Sequence, residues 1–483
     1  MSLRDVLSRS STRLHLPLGV LLVATGALPA LSSDATLAVL ATGAVVTVSL
    51  LMRLRAIDLV VCLIPIQTVI SGVNICPADP FVPFIVGSIL LRNRRGHDMR
   101  ETTRLISSRW ILQYLFALVI ICVAGLLAAS LAGDRISLGY AVYSTAKLIV
   151  SVGYLFIFYH FAVRIFHDGD RRLLTVWAAV ATLAALMGVA GVLAPPLGDA
   201  FDLAKGGRAN STFGDANLFA SYMIISLALI LVLREARRSW PASAASVVVL
   251  AGLLFSGSRA AVPAVVLGAL GALLLTGRVK VFRRIIAPLV ACLLVVGTVA
   301  ALFVPGLLTA GPVSRAVSSL ESVENDPRFL LWRVASEMWV ENPWIGVGIG
   351  QYRSASIHYA HSGIDNVPHS TVLGFLAETG IVGFLVFFSL PGAICLALAA
   401  IARSRAAIQY AAVALLFGLL ASAVQSATIN LENSRMLWAF LGIALAYGLA
   451  SRAHGPEIEK RPTQVPSQHR GNSVSNQPAS PIT

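Results

Sequence analysis

The chain has 483 residues, 57% of them hydrophobic and 12% charged, about half the charged share of an ordinary soluble domain, roughly 25%. That composition excludes a soluble globular protein and demands contact with lipid, with room for many spans of about 20 residues each. The formal net charge of +14 would suit a nucleic-acid binder, but most of it falls in short loops between apolar runs, so it marks sidedness and no nucleic-acid partner is expected.

Apolar runs fall at roughly 16–31, 35–53, 57–73, 80–91, 110–132, 140–164, 173–194, 215–233, 242–256, 260–276, 283–304, 381–402, 407–428 and 434–450. The first run, from Leu16, has no clear small-residue cleavage site and is followed by more spans, so it reads as an anchor and not as a signal peptide. Arg4, Arg9 and Arg13 precede it, and Arg53 and Arg55 follow the second run. RNRRGHDMRETTR (92–104) follows the fourth, Arg171 and Arg172 the sixth, REARR (234–238) the eighth, GRVKVFRR (277–284) the tenth, and Arg403 and Arg405 the twelfth. Every second loop is basic, which places these loops and both termini on the cytoplasmic side. Residues 241–277 have basic segments at both ends, so they are expected to form two short helices turning at SGSR (256–259). The fold class is therefore an all-α, polytopic membrane protein of about 14 spans, or 12 if short runs such as 80–91 are re-entrant.

Two loops, 195–214 and 305–380, are then external. In the long one, residues 326–343 (DPRFLLWRVASEMWVENP) read as a helix, with Pro327 in the first turn and Asn342-Pro343 at the end. Arg333 and Glu337 share a face of it. GVGIG (346–350) demands a tight backbone. A second short helix, His369 to Glu378, is expected to lie on or dip into the outer surface, with Asn366 as its cap and Pro368 early in it. Thr379-Gly380 separates it from a span at 381–402. The division is a cytoplasmic N-terminus at 1–15, a helix bundle at 16–304, an external loop at 305–380, C-terminal spans at 381–450, and a disordered tail at 451–483 rich in Pro, Ser, Gln and Asn.

The five cysteines, Cys62, Cys76, Cys122, Cys292 and Cys395, are scattered without any CxxC spacing and read as apolar filler. His358, His361, Asp365 and His369 are spaced loosely in a glycine-containing loop, so no metal site is expected. Arg208, Arg259 and Arg328 all fall on the outer side. Each either binds phosphate oxygens or snorkels to lipid headgroups. Arg259, at a turn between two short apolar helices, gains least from a structural role. His369 either accepts a proton or caps a helix. Glu378 lies nine residues later, about 180° around an ideal helix, which speaks against direct pairing with it.

HSTVLGFLAETGIVG (369–383) has the form His-[Asn/Ser/Gln], nine residues, Gly-x-x-Gly, after a DPRFLLWRVASEMWVENPWIGVGIGQY lead-in. Together with GRANSTFGDANLFASY (207–222) and FSGSRAA (255–261), this resembles the O-antigen ligase and O-antigen polymerase family over about 207–402. The resemblance implies a membrane glycosyltransferase of the GT-C type that uses neither metal nor nucleotide sugar. Its donor would be a polyprenyl-pyrophosphate-linked glycan at the outer leaflet, and its acceptor a sugar hydroxyl on a glycan, a glycolipid or sometimes a protein. It also implies His369 as catalytic base and Arg208, Arg259 and Arg328 as pyrophosphate ligands, with Arg315 and Arg333 able to replace the last. Gly346, Gly348, Gly350, Glu378 and Gly380 would support the loop. Ligase is the leading reading and polymerase its alternative. A transporter or flippase, the alternative of another class, would show internal repeats and mid-membrane ionisable groups.

Overall fold

The computed structural model describes residues 56–70, 73–92, 109–131, 135–168, 170–237, 240–280, 283, 327–360, 367–404 and 409–453. They form an all-α polytopic membrane protein. The first, second and eleventh apolar runs, the 93–104 segment and the tail beyond 453 lie outside the described residues.

The third run does not form one span. Helix α1 (Ala56–Leu63) stops ahead of Pro65, which lacks the N–H needed to continue. An antiparallel hairpin of β1 (Thr68–Ile70) and β2 (Val73–Ile75) follows, then a 3-10 turn (Asp79–Phe81) and helix α2 (Val82–Arg92). The 11 residues of α2 cover about 16 Å, too little for a hydrocarbon layer of about 30 Å. Among the described residues, the chain from Ala56 to Arg92 is thus two short helices with a hairpin between them.

The next elements are α3 (Arg109–Leu131), α4 (Arg135–Asp168), α5 (Arg172–Leu193), the short α6 (Pro195–Ala200) and a two-residue-stranded hairpin, β3 (Ala204–Lys205) with β4 (Arg208–Ala209). Then come α7 (Ala216–Arg237), α8 (Trp240–Phe255) and α9 (Ala261–Thr276), the last two being the expected pair of short helices. The 305–380 segment supplies α10 (Pro327–Glu341) and α11 (Tyr352–Ala360). The chain then continues with α12 (Thr371–Arg403), α13 (Gln409–Ser426) and α14 (Arg435–Ala453). Among the described residues six helices are long and apolar enough to cross a membrane, and four apolar helices are shorter.

Helix α7 is the heart of the bundle, with Phe219 to Leu233 almost wholly buried against α5, α8 and α13. Small residues let helices approach closely: Gly268 of α9 meets Ala421, and Gly442 of α14 meets the Leu155 carbonyl. Cys62, Cys76, Cys122 and Cys395 are free thiols.

The two ends of the bundle differ. At one, Arg172 pairs with Asp58 at 2.6 Å, Arg278 donates to the Ala402 carbonyl at 3.0 Å, and Arg403 to the Leu275 carbonyl at 2.6 Å. These are groups the charge pattern assigns to one side. Helix α4 shows how far the other end reaches. Its Phe166 packs on Tyr447 near the C-terminal end of α14. Its 34 residues extend about 51 Å, roughly 20 Å more than the hydrocarbon layer needs. At its N-terminal end, the Ser137 carbonyl accepts from Gln351, just ahead of α11, at 2.8 Å.

Candidate functional site

The β3–β4 hairpin turns on Gly206-Gly207, both at positive φ (57° and 69°), the conformation a two-residue hairpin turn requires. It delivers Arg208 to the α8–α9 turn. The Arg208 guanidinium donates through Nε to the Ser256 carbonyl and through Nη2 to Asn217 Oδ1, each at 3.0 Å. Arg259 is exposed, between the buried Ser258 and the half-buried Ala260 of that same turn. Arg208 and the Arg259 turn are thus brought together, 48 residues apart in sequence for the Arg208–Ser256 contact.

His369 lies at the start of α12, half-buried, with φ +47°. A left-handed conformation costs a non-glycine residue about 1–2 kcal/mol and clusters at functional sites. Here its neighbours hold it. Ser370 is the N-cap, accepting from Leu373 N at 3.2 Å. Asn366, the expected cap, lies outside the described residues, and Pro368 precedes the helix instead of entering it. Thr371 is locked to the α13–α14 loop. Its N–H reaches the Ile429 carbonyl at 3.2 Å, and its hydroxyl lies 3.0 Å from that carbonyl and 3.1 Å from Glu432 Oε2. It also accepts from Leu431 N at 2.7 Å.

That loop links the histidine to the arginine turn. Gln425 donates to the Asn217 carbonyl at 3.4 Å, and the Gln425 carbonyl accepts from Thr428 N at 3.0 Å. A polar chain therefore runs Arg208, Asn217, Gln425, 427–431, Thr371, with His369 two residues beyond. The loop is anchored below by a buried ion pair. Arg435 grips Asp79 through Nε (3.1 Å) and Nη2 (2.6 Å), and Tyr154 donates to the same carboxylate at 3.0 Å.

The long-loop segment packs on this end. Val334, Ala335 and Met338 of α10 bury against Ala377 and Tyr352. Residues 343–348 pair with 377–382: Val347 N to the Ala377 carbonyl (2.9 Å), Gly348 N to that of Glu378 (2.8 Å), and Ile381 N to that of Pro343 (2.8 Å). The 343–348 segment therefore runs antiparallel to 377–382, which brings the C-terminal end of α10 beside the Gly380 break of α12, while Arg328 lies in the first turn of α10. Arg333 pairs with Glu337 at 3.6 Å as its spacing implies. Arg315, His361 and Asp365 lie outside the described residues.

Two glycines make this docking possible. A Cβ on Gly346 would stand 2.4 Å from the Glu378 carbonyl carbon, and one on Gly380 2.3 Å from that of Trp344. Gly380 (φ 62°, ψ −167°) also breaks α12, as the sequence implies at Thr379-Gly380. Glu378 does not face the histidine. Its carboxylate accepts from Gly350 N at 2.9 Å and Tyr352 N at 3.1 Å, closing the GVGIG turn. Burial, aided by the Glu378 charge, pushes the Tyr352 phenol up, so it stays a neutral donor to the Leu331 carbonyl at 2.8 Å.

Sequence reasoning missed Asp79, Tyr154, Glu432 and Arg435. The available signal was charge inside or beside apolar runs, at PADP and LENSR. Chemically, this end gathers a histidine on left-handed backbone and the Arg208 and Arg259 guanidinium groups.

Residues 244–388 match the family model described as O-antigen ligase. A comparison with curated proteins gave no match. The match includes the Ser256–Arg259 turn, Arg328, the glycine turn, His369 and Glu378. Over these residues the chain is similar to the O-antigen ligase family.

Proposed function

We propose that this multi-pass membrane protein, similar to the O-antigen ligase family over 244–388, transfers a glycan from a polyprenyl-pyrophosphate carrier to a sugar hydroxyl of a membrane-anchored acceptor. The reaction takes place at the outer face of a bacterial inner membrane. The observation that carries this reading is the hydrogen-bonded chain joining Arg208 and the Ser256–Arg259 turn to the start of α12 at His369.

His369 takes the proton of the acceptor hydroxyl, a poor nucleophile until deprotonated. The oxygen forms a bond to the anomeric carbon as the bond from that carbon to the pyrophosphate oxygen breaks, with inversion. The carrier pyrophosphate leaves with its added charge held by Arg208, Arg259 and Arg328. No step requires a metal or a nucleotide sugar. Helices α10 and α11 cover the site, and the polyprenyl chain stays in lipid.

His369→Ala is expected to bind lipid-pyrophosphate glycan as the parent does and to lose transfer, measured separately on purified protein. Retained transfer at normal expression would overturn the base assignment.

A further inference from the structure

Helix α10 has three faces, and its packing on α12 uses one of them. Val334, Ala335 and Met338 are buried against Ala377 and Tyr352. Arg333, Glu337 and Glu341, four residues apart, form an exposed charged stripe. Phe329, Trp332, Ser336 and Val340 recur at steps of three or four and form a third, mostly apolar stripe. Beyond the helix end the chain adds Trp344 and Ile345. Among the described residues Val340, Trp344 and Ile345 are 72%, 70% and 76% exposed. Single apolar side chains on a surface are ordinary, whereas a contiguous apolar patch marks something that covers it.

Helix α12 sets the level of this patch. Ile381 N donates to the Pro343 carbonyl at 2.8 Å, and Val382 N to the Trp344 carbonyl at 3.3 Å. From there the apolar stretch Ile381 to Ala402 rises about 33 Å, enough for a hydrocarbon layer of about 30 Å. It ends at Arg403, which meets the Leu275 carbonyl at the far end of the bundle. Val382 and Leu385, both exposed, are among the first lipid-facing side chains of that span. Trp344 and Ile345 therefore stand where hydrocarbon gives way to headgroups, in one surface with Val382 and Leu385. Tryptophan suits that depth, because its ring is apolar and its single N–H wants a polar partner. The charged stripe of α10, on a different face, stays in water.

We propose that Val340, Trp344 and Ile345 dock on the adjoining leaflet, at the headgroup–acyl boundary of a phospholipid bilayer. The C-terminal end of α10 is then held from two sides, by backbone pairing at the Gly380 break and by lipid. The bilayer becomes part of what keeps this segment closed over the bundle. This inference does not depend on the transferase reading, since it concerns where the segment rests and not what reaction it covers.

The test places a spin label at Val340→Cys, Ile345→Cys, Glu337→Cys or Leu385→Cys, each in a full chain whose five native cysteines are replaced. The protein is held in nanodiscs of phosphatidylethanolamine and phosphatidylglycerol. Collisions of the label with oxygen, which dissolves in lipid, are compared with collisions with a water-soluble nickel chelate. Labels at 340 and 345 should meet oxygen more than nickel, as the label at 385 does, and the label at 337 should show the reverse. Adding Trp344→Ser should shift the 340 label toward nickel and leave the 385 label unchanged, which also shows that the bundle is intact. Nickel dominating at 345 overturns the proposal and puts the patch in water, where a glycan could reach it. Protection of 340 and 345 from both reagents overturns it in favour of cover by protein, such as a second copy of this chain. A 340 label unmoved by Trp344→Ser overturns the tryptophan as anchor.

Discussion

Arg208 shows what one side chain does at this site. Its hydrogen bonds to the Ser256 carbonyl and to Asn217 aim the guanidinium at the α8–α9 turn. Replacing it by glutamine removes a charge-assisted contact of about 1.5–3 kcal/mol, or about 10- to 150-fold in donor affinity. Arg208→Lys should recover only part of this, because an ammonium cannot hold two fixed partners with one planar fork. Titration of a lipid-pyrophosphate glycan against each purified variant checks it, and full affinity in Arg208→Lys would argue for a point charge and against a fork. His369 makes a different point. Its type and its place after a proline can be read in the sequence, whereas its left-handed backbone cannot. That conformation is imposed by the Ser370 cap and by the clamp of Thr371 onto Ile429, 58 residues away.

At the scale of elements, the α10–α12 clasp depends on backbone meeting backbone where no side chain fits. Gly380→Ala would put a methyl group 2.3 Å from the Trp344 carbonyl carbon at a φ of 62°. Overpacking and left-handed strain together cost about 2–4 kcal/mol. The expected outcome is release of the clasp with the bundle intact: protease cleavage between α10 and α12 at a much lower protease concentration, and loss of transfer. The lower stability should be local, since the clasp rests on its own small apolar cluster around Val334, Met338 and Tyr352. The glycine spacing from Gly346 to Gly350 shows in the sequence that a tight turn exists. The identity of its partner, Glu378, does not, because the closing hydrogen bonds span 26 and 28 residues.

For the whole molecule, the argument is about sides. Arg278 and Arg403 meet at one end of the bundle, and Arg208, Ser256 and Thr371 are joined at the other. Single cysteines in a background lacking the five native ones are expected to react with an impermeant thiol reagent from outside at positions 259 and 369. Positions 95 and 237 should react only after permeabilisation. Labelling of position 237 in intact cells would invert the arrangement and place the proposed site on the wrong face for an outer-leaflet donor.

By itself the sequence determined that the protein is immersed in lipid, that its basic loops alternate, that 241–277 is a helix pair turning at Ser256–Arg259, and that Gly380 ends one helix and begins another. These are local properties: apolar run length, charge count, and the conformational freedom of single residues. Only the tertiary structure decided that the 57–73 run breaks at Pro65 into a hairpin, that Glu378 closes the glycine turn, and that Arg208 reaches Ser256. The same holds for Asp79, which supports the site through a partner 356 residues away. The physical reason is that a hydrogen bond or an ion pair needs its partner within about 3 Å, and no periodicity along a chain records which distant segments come that close.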